Sequence, residues 1–144
     1  MSLGIYSKPQ IDALFTATNP FRVTFHGRTG GSQDRLVYVR NDDILKAYSS
    51  IYAQVIDTLG DDLVTGVNKE FEWKLAAKQT PLPSKEWDSV TAGSQVLVGN
   101  IGSDTKPDIK TFLPLWVRVK IPSRQSVNNI TEIVIRLTAT EILV

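Results

Sequence analysis

The chain has no cysteine and only one histidine in 144 residues. The first absence excludes disulfides, thiolate catalysis, iron–sulfur clusters and cysteine-based zinc sites. The second leaves the chain unable to supply a two-histidine metal site by itself. A dominant charge is missing too. Sixteen Lys and Arg face fifteen Asp and Glu, for a formal net charge of +1. Nothing in that balance draws the chain toward nucleic acid or an anionic membrane. No apolar run approaches the roughly 18 residues needed to cross a bilayer. The longest apolar-rich piece, 112–121, is interrupted by Pro114, Arg118 and Lys120. The first eight residues lack a basic start followed by an apolar run, so they are not read as a signal peptide. What is present, 42% hydrophobic and 22% charged residues, suits one globular domain with its own core.

Along most of the chain the apolar residues recur with period two, the pattern of half-buried strands. Phe21, Val23 and Phe25 alternate with Arg22 and Thr24, and a Gly-rich turn follows at 26–32. Arg35–Val39 reads as the returning strand of a long-looped hairpin, and Asn41-Asp42-Asp43 as a turn. Further strands are expected at 51–56, 71–75 and 95–98. Leu115, Val117, Val119 and Ile121 should face inward, and Trp116, Arg118 and Lys120 outward. In the last strand Ile133, Ile135, Leu137 and Ala139 should face inward, against Glu132, Val134, Arg136, Thr138 and Thr140. About seven strands with frequent turns predict an all-β fold, an immunoglobulin-like antiparallel β-sandwich over 20–144. Residues 1–19 read as an arm with a short helix at 7–15. Ser7 and Gln10 form a capping-box pattern, and Ile11, Leu14 and Phe15 make one apolar stripe. A helix so short must pack on something.

The chemistry-bearing residues are sparse. His26 flanks a Gly-rich loop with no nucleophile motif beside it, and reads as a polar turn residue. Gly27–Ser32 lies between two strands and lacks the Lys-Ser/Thr of a phosphate-binding loop. Asp42, Asp43, Asp57, Asp61 and Asp62 could offer oxygens to calcium, but without EF-hand spacing they read as solvated turn carboxylates. Glu70, Glu72, Glu86 and Asp88 lie near Trp73 and Trp87, yet sequence cannot oppose two of them across a cleft. Arg22, Arg118, Lys120 and Arg136 could share one sheet face. With Glu132 on that face and a neutral chain, a solvated or protein-contact role is preferred to single-stranded nucleic acid. Asn129-Ile130-Thr131 matches a glycosylation sequon, which matters only in a secreted eukaryotic protein. The expectation is therefore a protein that is not an enzyme, needs no cofactor or metal, and binds neither nucleic acid nor membrane.

The terminal segments stand out instead. The sequence closes on Glu141-Ile142-Leu143-Val144, three apolar residues on a β-prone run that would be an aggregation hazard if left bare. With Ile11, Leu14 and Phe15 of the arm, Ile142, Leu143 and Val144 are the predicted partner-binding residues. Trp116 joins them if its outward position leaves it uncovered; otherwise a loop or the arm covers it.

Several phrases resemble those of bacteriophage virion proteins built on a single immunoglobulin-like sandwich. They are Phe25–Gly31, Leu36–Asp43 followed by Tyr48–Ile51, Phe71–Leu75, Pro83–Trp87, Asn100–Gly102, Pro114–Val119 and Leu137–Glu141. Tyr6–Leu14 is similar to a phrase common in phage tail-fibre and tail-tip proteins. The resemblance implies a structural or accessory part of the virion, assembled in a bacterial cytoplasm. A capsid decoration protein, a neck or tail accessory protein and a fibre-attachment module are all compatible. With no coiled-coil heptads for a shaft, an adaptor or decoration is preferred to a receptor-binding fibre. The implied partners are other virion proteins and copies of the chain itself, a homo-oligomer. A module binding host glycans through an exposed Trp or Tyr is the alternative.

Overall fold

A computed structural model describes residues 3–10, 12–16, 31–57, 72–77, 94–121 and 133–144. Among them the fold is all-β. In chain order the strands are β1 (Leu3–Tyr6), β2 (Gly31–Asn41), β3 (Lys46–Asp57), β4 (Glu72–Ala76), β5 (Val96–Ile101), β6 (Leu113–Ile121) and β7 (Ile133–Leu143). They form a four-stranded sheet in the order β1-β2-β6-β4 and a three-stranded sheet in the order β5-β3-β7. Every pairing is antiparallel.

The alternation read from the sequence explains how the sheets meet. Leu115, Val117 and Val119 of β6 are buried beside Val37 of β2 and Leu75 of β4. Ala53 and Val55 of β3 join the same cluster from the second sheet, with Ile135 and Leu137 of β7 packed against it. A second cluster of Val39, Tyr48, Ile51 and Ile101 fills the end near the β2–β3 turn. In β7 the expected parity holds over 135–140: Arg136, Thr138 and Thr140 are exposed, while their neighbours are half-buried. Trp73 packs against the first cluster, as a large aromatic in an inward position should. Tyr38, whose place in a strand also predicts a core residue, lies on the outer face of its sheet between the buried Val37 and Val39, its ring edge-on to Phe112 at 6.3 Å.

The helix expected over 7–15 is not what the chain forms there. Leu3–Tyr6 is a strand, paired with Tyr38–Asn41 of β2. The chain then reverses. Tyr6 bridges Leu14, the Ser7 amide donates to the Ala13 carbonyl at 2.9 Å, and the Phe15 amide to the Ile5 carbonyl at 2.9 Å. Ser7 Oγ also points to the Ala13 carbonyl, at 3.4 Å, so it does not cap a helix. One isolated turn gains few hydrogen bonds for the dihedrals it fixes, whereas an edge position on β2 offers ladder bonds and a place in the core. Ile5 takes that place, packed against the first cluster, while Tyr6, paired with Tyr38 on the outer face, is buried to 1% exposure beside Phe112. The arm boundary at 19, the strand at 21–25 and Ile11 lie outside the described residues.

β3 runs five residues further toward its N-terminus than the expected 51–56. The extension is hidden by a bulge. Register shifts fall on both neighbours between Tyr48 and Tyr52, and Ser50 adopts a positive φ of 50°. Its amide donates to Asn100 Oδ1 at 2.8 Å. The bulge resets the alternation, so that Tyr48 and Ile51, three apart, are both buried.

Candidate interaction surface

Asn41 organises the turn between β2 and β3. It is fully buried, the one buried polar residue among those described. Its Nδ2 donates to the carbonyls of Lys46 at 2.7 Å, Pro107 at 3.0 Å and Asp43 at 3.1 Å. Its Oδ1 accepts from the Asp43 amide at 2.7 Å. Asp43 repeats the move, accepting the Leu45 amide at 2.9 Å. Short Asn and Asp side chains favour such self-bonded turns. The run Asn41-Asp42-Asp43 thus ties the backbone from beneath and turns the next two residues outward.

Those two residues are Ile44 and Leu45, 64% and 66% exposed. β7 brings Leu143 and Val144 alongside, 78% and 43% exposed. Leu143 pairs in register with Lys46, and the Val144 amide donates to the Leu45 carbonyl at 3.0 Å. Of the six large apolar residues exposed among those described, four gather at this corner. They present on the order of a few hundred Å² of apolar surface, the scale at which a monomer's largest patch is commonly functional.

The rim carries charges of both signs. Lys46 Nζ reaches Glu141 Oε2 at 3.1 Å. That hydrogen bond raises the Lys46 ammonium above its ordinary range, with the Glu141 charge adding to the effect. On the other side of the turn Arg40 pairs with Asp42, donates to the Ile109 carbonyl at 2.6 Å and lies over the Tyr6 and Phe112 rings. Asp42 also accepts the Tyr6 hydroxyl. Burial, then that bond, pushes the Tyr6 pKa up, while Arg40 pulls the other way.

The predicted partner-binding residues fall into separate environments. Leu143 and Val144 lie in the corner, and Ile142 beside them is half-buried, paired with Ala47. Leu14 is half-buried, its Cδ1 lying 2.7 Å from where a Cβ on Gly4 would sit. Phe15 packs against the main core cluster. These two residues of the arm therefore contribute to the fold of their own chain. Trp116 is half-buried, paired with Leu36 and Ala76, with its Nε1 shut off from solvent. Ile44 and Leu45 were not singled out from the sequence. The available signal was their position: two large aliphatics directly after a turn cluster, where solvent-facing residues are expected.

The other candidate groups do not converge. Arg118 is held by Asp34 in a two-pronged ion pair, at 2.7 and 3.0 Å. With Lys120, Lys74, Glu72 and Ser32 it lines a shallow polar depression of about 130 Å³ on the four-stranded sheet. Arg136 lies on the other sheet, bonded to Gln54 at 3.0 Å, so the basic residues expected on one face are divided between two. Arg22, His26, Asp61, Asp62, Glu70, Glu86, Trp87 and Asp88 lie outside the described residues. Among the described residues no three His, Cys, Asp or Glu side chains come together, and no helix is long and apolar enough to cross a membrane. Comparison with protein-family models, with curated proteins and with solved structures finds no match to this chain.

Proposed function

We propose that the protein is a non-enzymatic assembly component that works by burying the Ile44–Leu45–Leu143–Val144 corner against a neighbouring protein. The corner is the observation that carries this reading. Four exposed aliphatics, two on a hydrogen-bonded turn and two at the end of β7, are costly to leave in water, and covering them gains roughly 25 cal/mol per Å². The ion pairs Arg118–Asp34, Lys46–Glu141 and Arg40–Asp42 give these charges structural partners, which supports a binding role over a catalytic one. Two antiparallel sheets around a common core agree with an immunoglobulin-like sandwich. With the phrases that resemble phage virion proteins, the reading becomes a virion structural or accessory protein, a capsid decoration or a neck or tail attachment.

The test is complementation of a phage lacking this chain with the Leu45→Asp/Leu143→Asp double variant. The variant should fold, by circular dichroism, yet be missing from purified particles by mass spectrometry. A variant incorporated at the parental copy number would overturn the role of the corner. Failure to find the parent protein in particles would overturn the virion reading.

One observation favours the glycan-binding alternative. Tyr52 is 36% exposed at the middle of the three-stranded sheet, paired in register with Leu97 and Thr138. Such a ring is a possible stacking platform for a sugar. Glycan binding abolished by Tyr52→Ala would favour that reading.

A further inference from the structure

We infer that β7 pairs edge to edge with β7 of a second copy of this chain, antiparallel about a two-fold axis at Thr138, joining two three-stranded sheets into one of six. The inference adds a second surface to the assembly reading, and the turn residues Ile44 and Leu45 take no part in it.

The edges of the two sheets carry the argument. An open edge is a row of backbone amides and carbonyls that another extended strand matches residue for residue, so folded proteins keep such edges short, charged or covered. β1 has four residues, and Leu14 and Phe15 return along it. β4 has five, Glu72 and Lys74 among them. β5 has six, with Gly99 at a φ of 139°. β7 has eleven, without proline, lysine or glycine, and among the described residues only β3 pairs with it. Its two charged side chains are both drawn onto β3, Arg136 by Gln54 and Glu141 by Lys46, so neither guards the edge. The core is open along the same line. Ala53 and Val55 of β3 are fully buried, yet Leu137 and Ile135, their register partners on β7, are half-buried. An added strand closes that flank with its own inward row while its backbone pairs with the edge.

The alignment selects a second copy. Thr138 is the midpoint of Ile133–Leu143, so an axis there pairs all eleven residues with none overhanging. It sets Leu137 against Ala139 on the inward face. On the outward face it sets Thr138 against its own copy and Arg136 against Thr140. Glu141, held by Lys46, falls opposite Ile135 toward either end. Threonines make a favourable cross-strand pair, and no like charges meet. No other edge among the described strands is long enough to match β7. Self-complementarity of this kind is what an isologous interface requires.

The chain has no cysteine, so single cysteines report the pairing without background. Directly opposed residues of an antiparallel pair lie about 5 Å apart at Cα, within disulfide reach. Thr138→Cys should therefore form a disulfide dimer under mild oxidation. Arg136→Cys and Thr140→Cys should not do so alone, because each lies about 14 Å from its own copy, but an equimolar mixture of the two should cross-link. In sedimentation equilibrium over a dilution series reaching about 1 mM, the parent should dimerise reversibly. Thr138→Lys, folded by circular dichroism, should dimerise at least tenfold more weakly, since it sets two ammonium groups face to face. A parent monomeric throughout the series, the result if the edge takes a strand from a different protein, would overturn the inference. So would equal cross-linking at all three positions, or a dimer that Thr138→Cys does not cross-link. These readouts use the purified chain, so they are separable from the incorporation test of the corner.

Discussion

Replacing Asn41 should be among the most damaging single changes to the described part of the fold. Asn41→Ala removes the acceptor for the Asp43 amide and the donor to the Lys46 and Pro107 carbonyls, bonds of 2.7, 2.7 and 3.0 Å. At a net of about 1 kcal/mol per bond, with a further penalty where a buried group is left unpaired, the loss is about 3–5 kcal/mol. That is a large part of the roughly 5–15 kcal/mol typical of a domain. Asn41→Asp makes the sharper control. It keeps the shape and still accepts from Asp43, but it turns a negative oxygen toward three carbonyls. Its carboxyl should therefore have a folded-state pKa above the ordinary carboxylate range. The penalty is then full at neutral pH and recedes as pH falls, when a protonated carboxyl can donate again. The alanine variant has no such recovery. Urea denaturation followed by tryptophan fluorescence measures both, with the midpoint shifting and the slope unchanged. A loss below about 1 kcal/mol for Asn41→Ala, or parental stability of Asn41→Asp at pH 7, would refute the reasoning.

Two further outcomes are expected. Gly102 has a φ of 80°, and a Cβ there would lie 2.7 Å from the Pro107 carbonyl oxygen and 2.9 Å from Ala47 Cβ; Gly102→Ala should cost about 2 kcal/mol or more in thermal or urea unfolding. Tyr6 has a raised folded-state pKa, so its contribution is complete below pH 10 and is lost as pH climbs through the folded value; Tyr6→Phe should lower stability at pH 7 by about 1 kcal/mol and flatten the alkaline limb of a stability–pH curve.

How much of this was legible depends on which force sets each element. The strands β6 and β7 could be read directly, because a strand with one wet face must alternate. Leu115, Val117 and Val119 do so, as do Leu137 and Ala139 against Arg136, Thr138 and Thr140. β1 could not. Tyr6-Ser7-Lys8-Pro9-Gln10 carries local helix-start chemistry, and only the distant pairing with β2 decides against it. The first half of β3 was hidden because the bulge at Ser50 breaks the period-two alternation and leaves the buried Tyr48 and Ile51 three residues apart. Sheet membership is equally invisible to periodicity, so Arg118 and Arg136 share an outward parity yet lie on different sheets. The corner was half legible: Leu143 and Val144 stand out as an apolar run, whereas Ile44 and Leu45 follow a polar cluster that draws attention to itself.

The irregularity at Ser50 also bears on how the three-stranded sheet resists error. A regular ladder can slide by two residues and still place apolar side chains inward. β3 lacks that freedom. Residues Ser50 and Ile51 stand against the single residue Ala139 between the Ser49–Thr140 and Tyr52–Thr138 pairs, and Asn100 on the opposite flank holds the Ser50 amide. Any displaced alignment would put the extra residue against a regular partner and leave Asn100 without its donor. The joint works like a keyway cut into the central strand: only one alignment of β5, β3 and β7 seats, and the same alignment brings Leu143 beside Lys46.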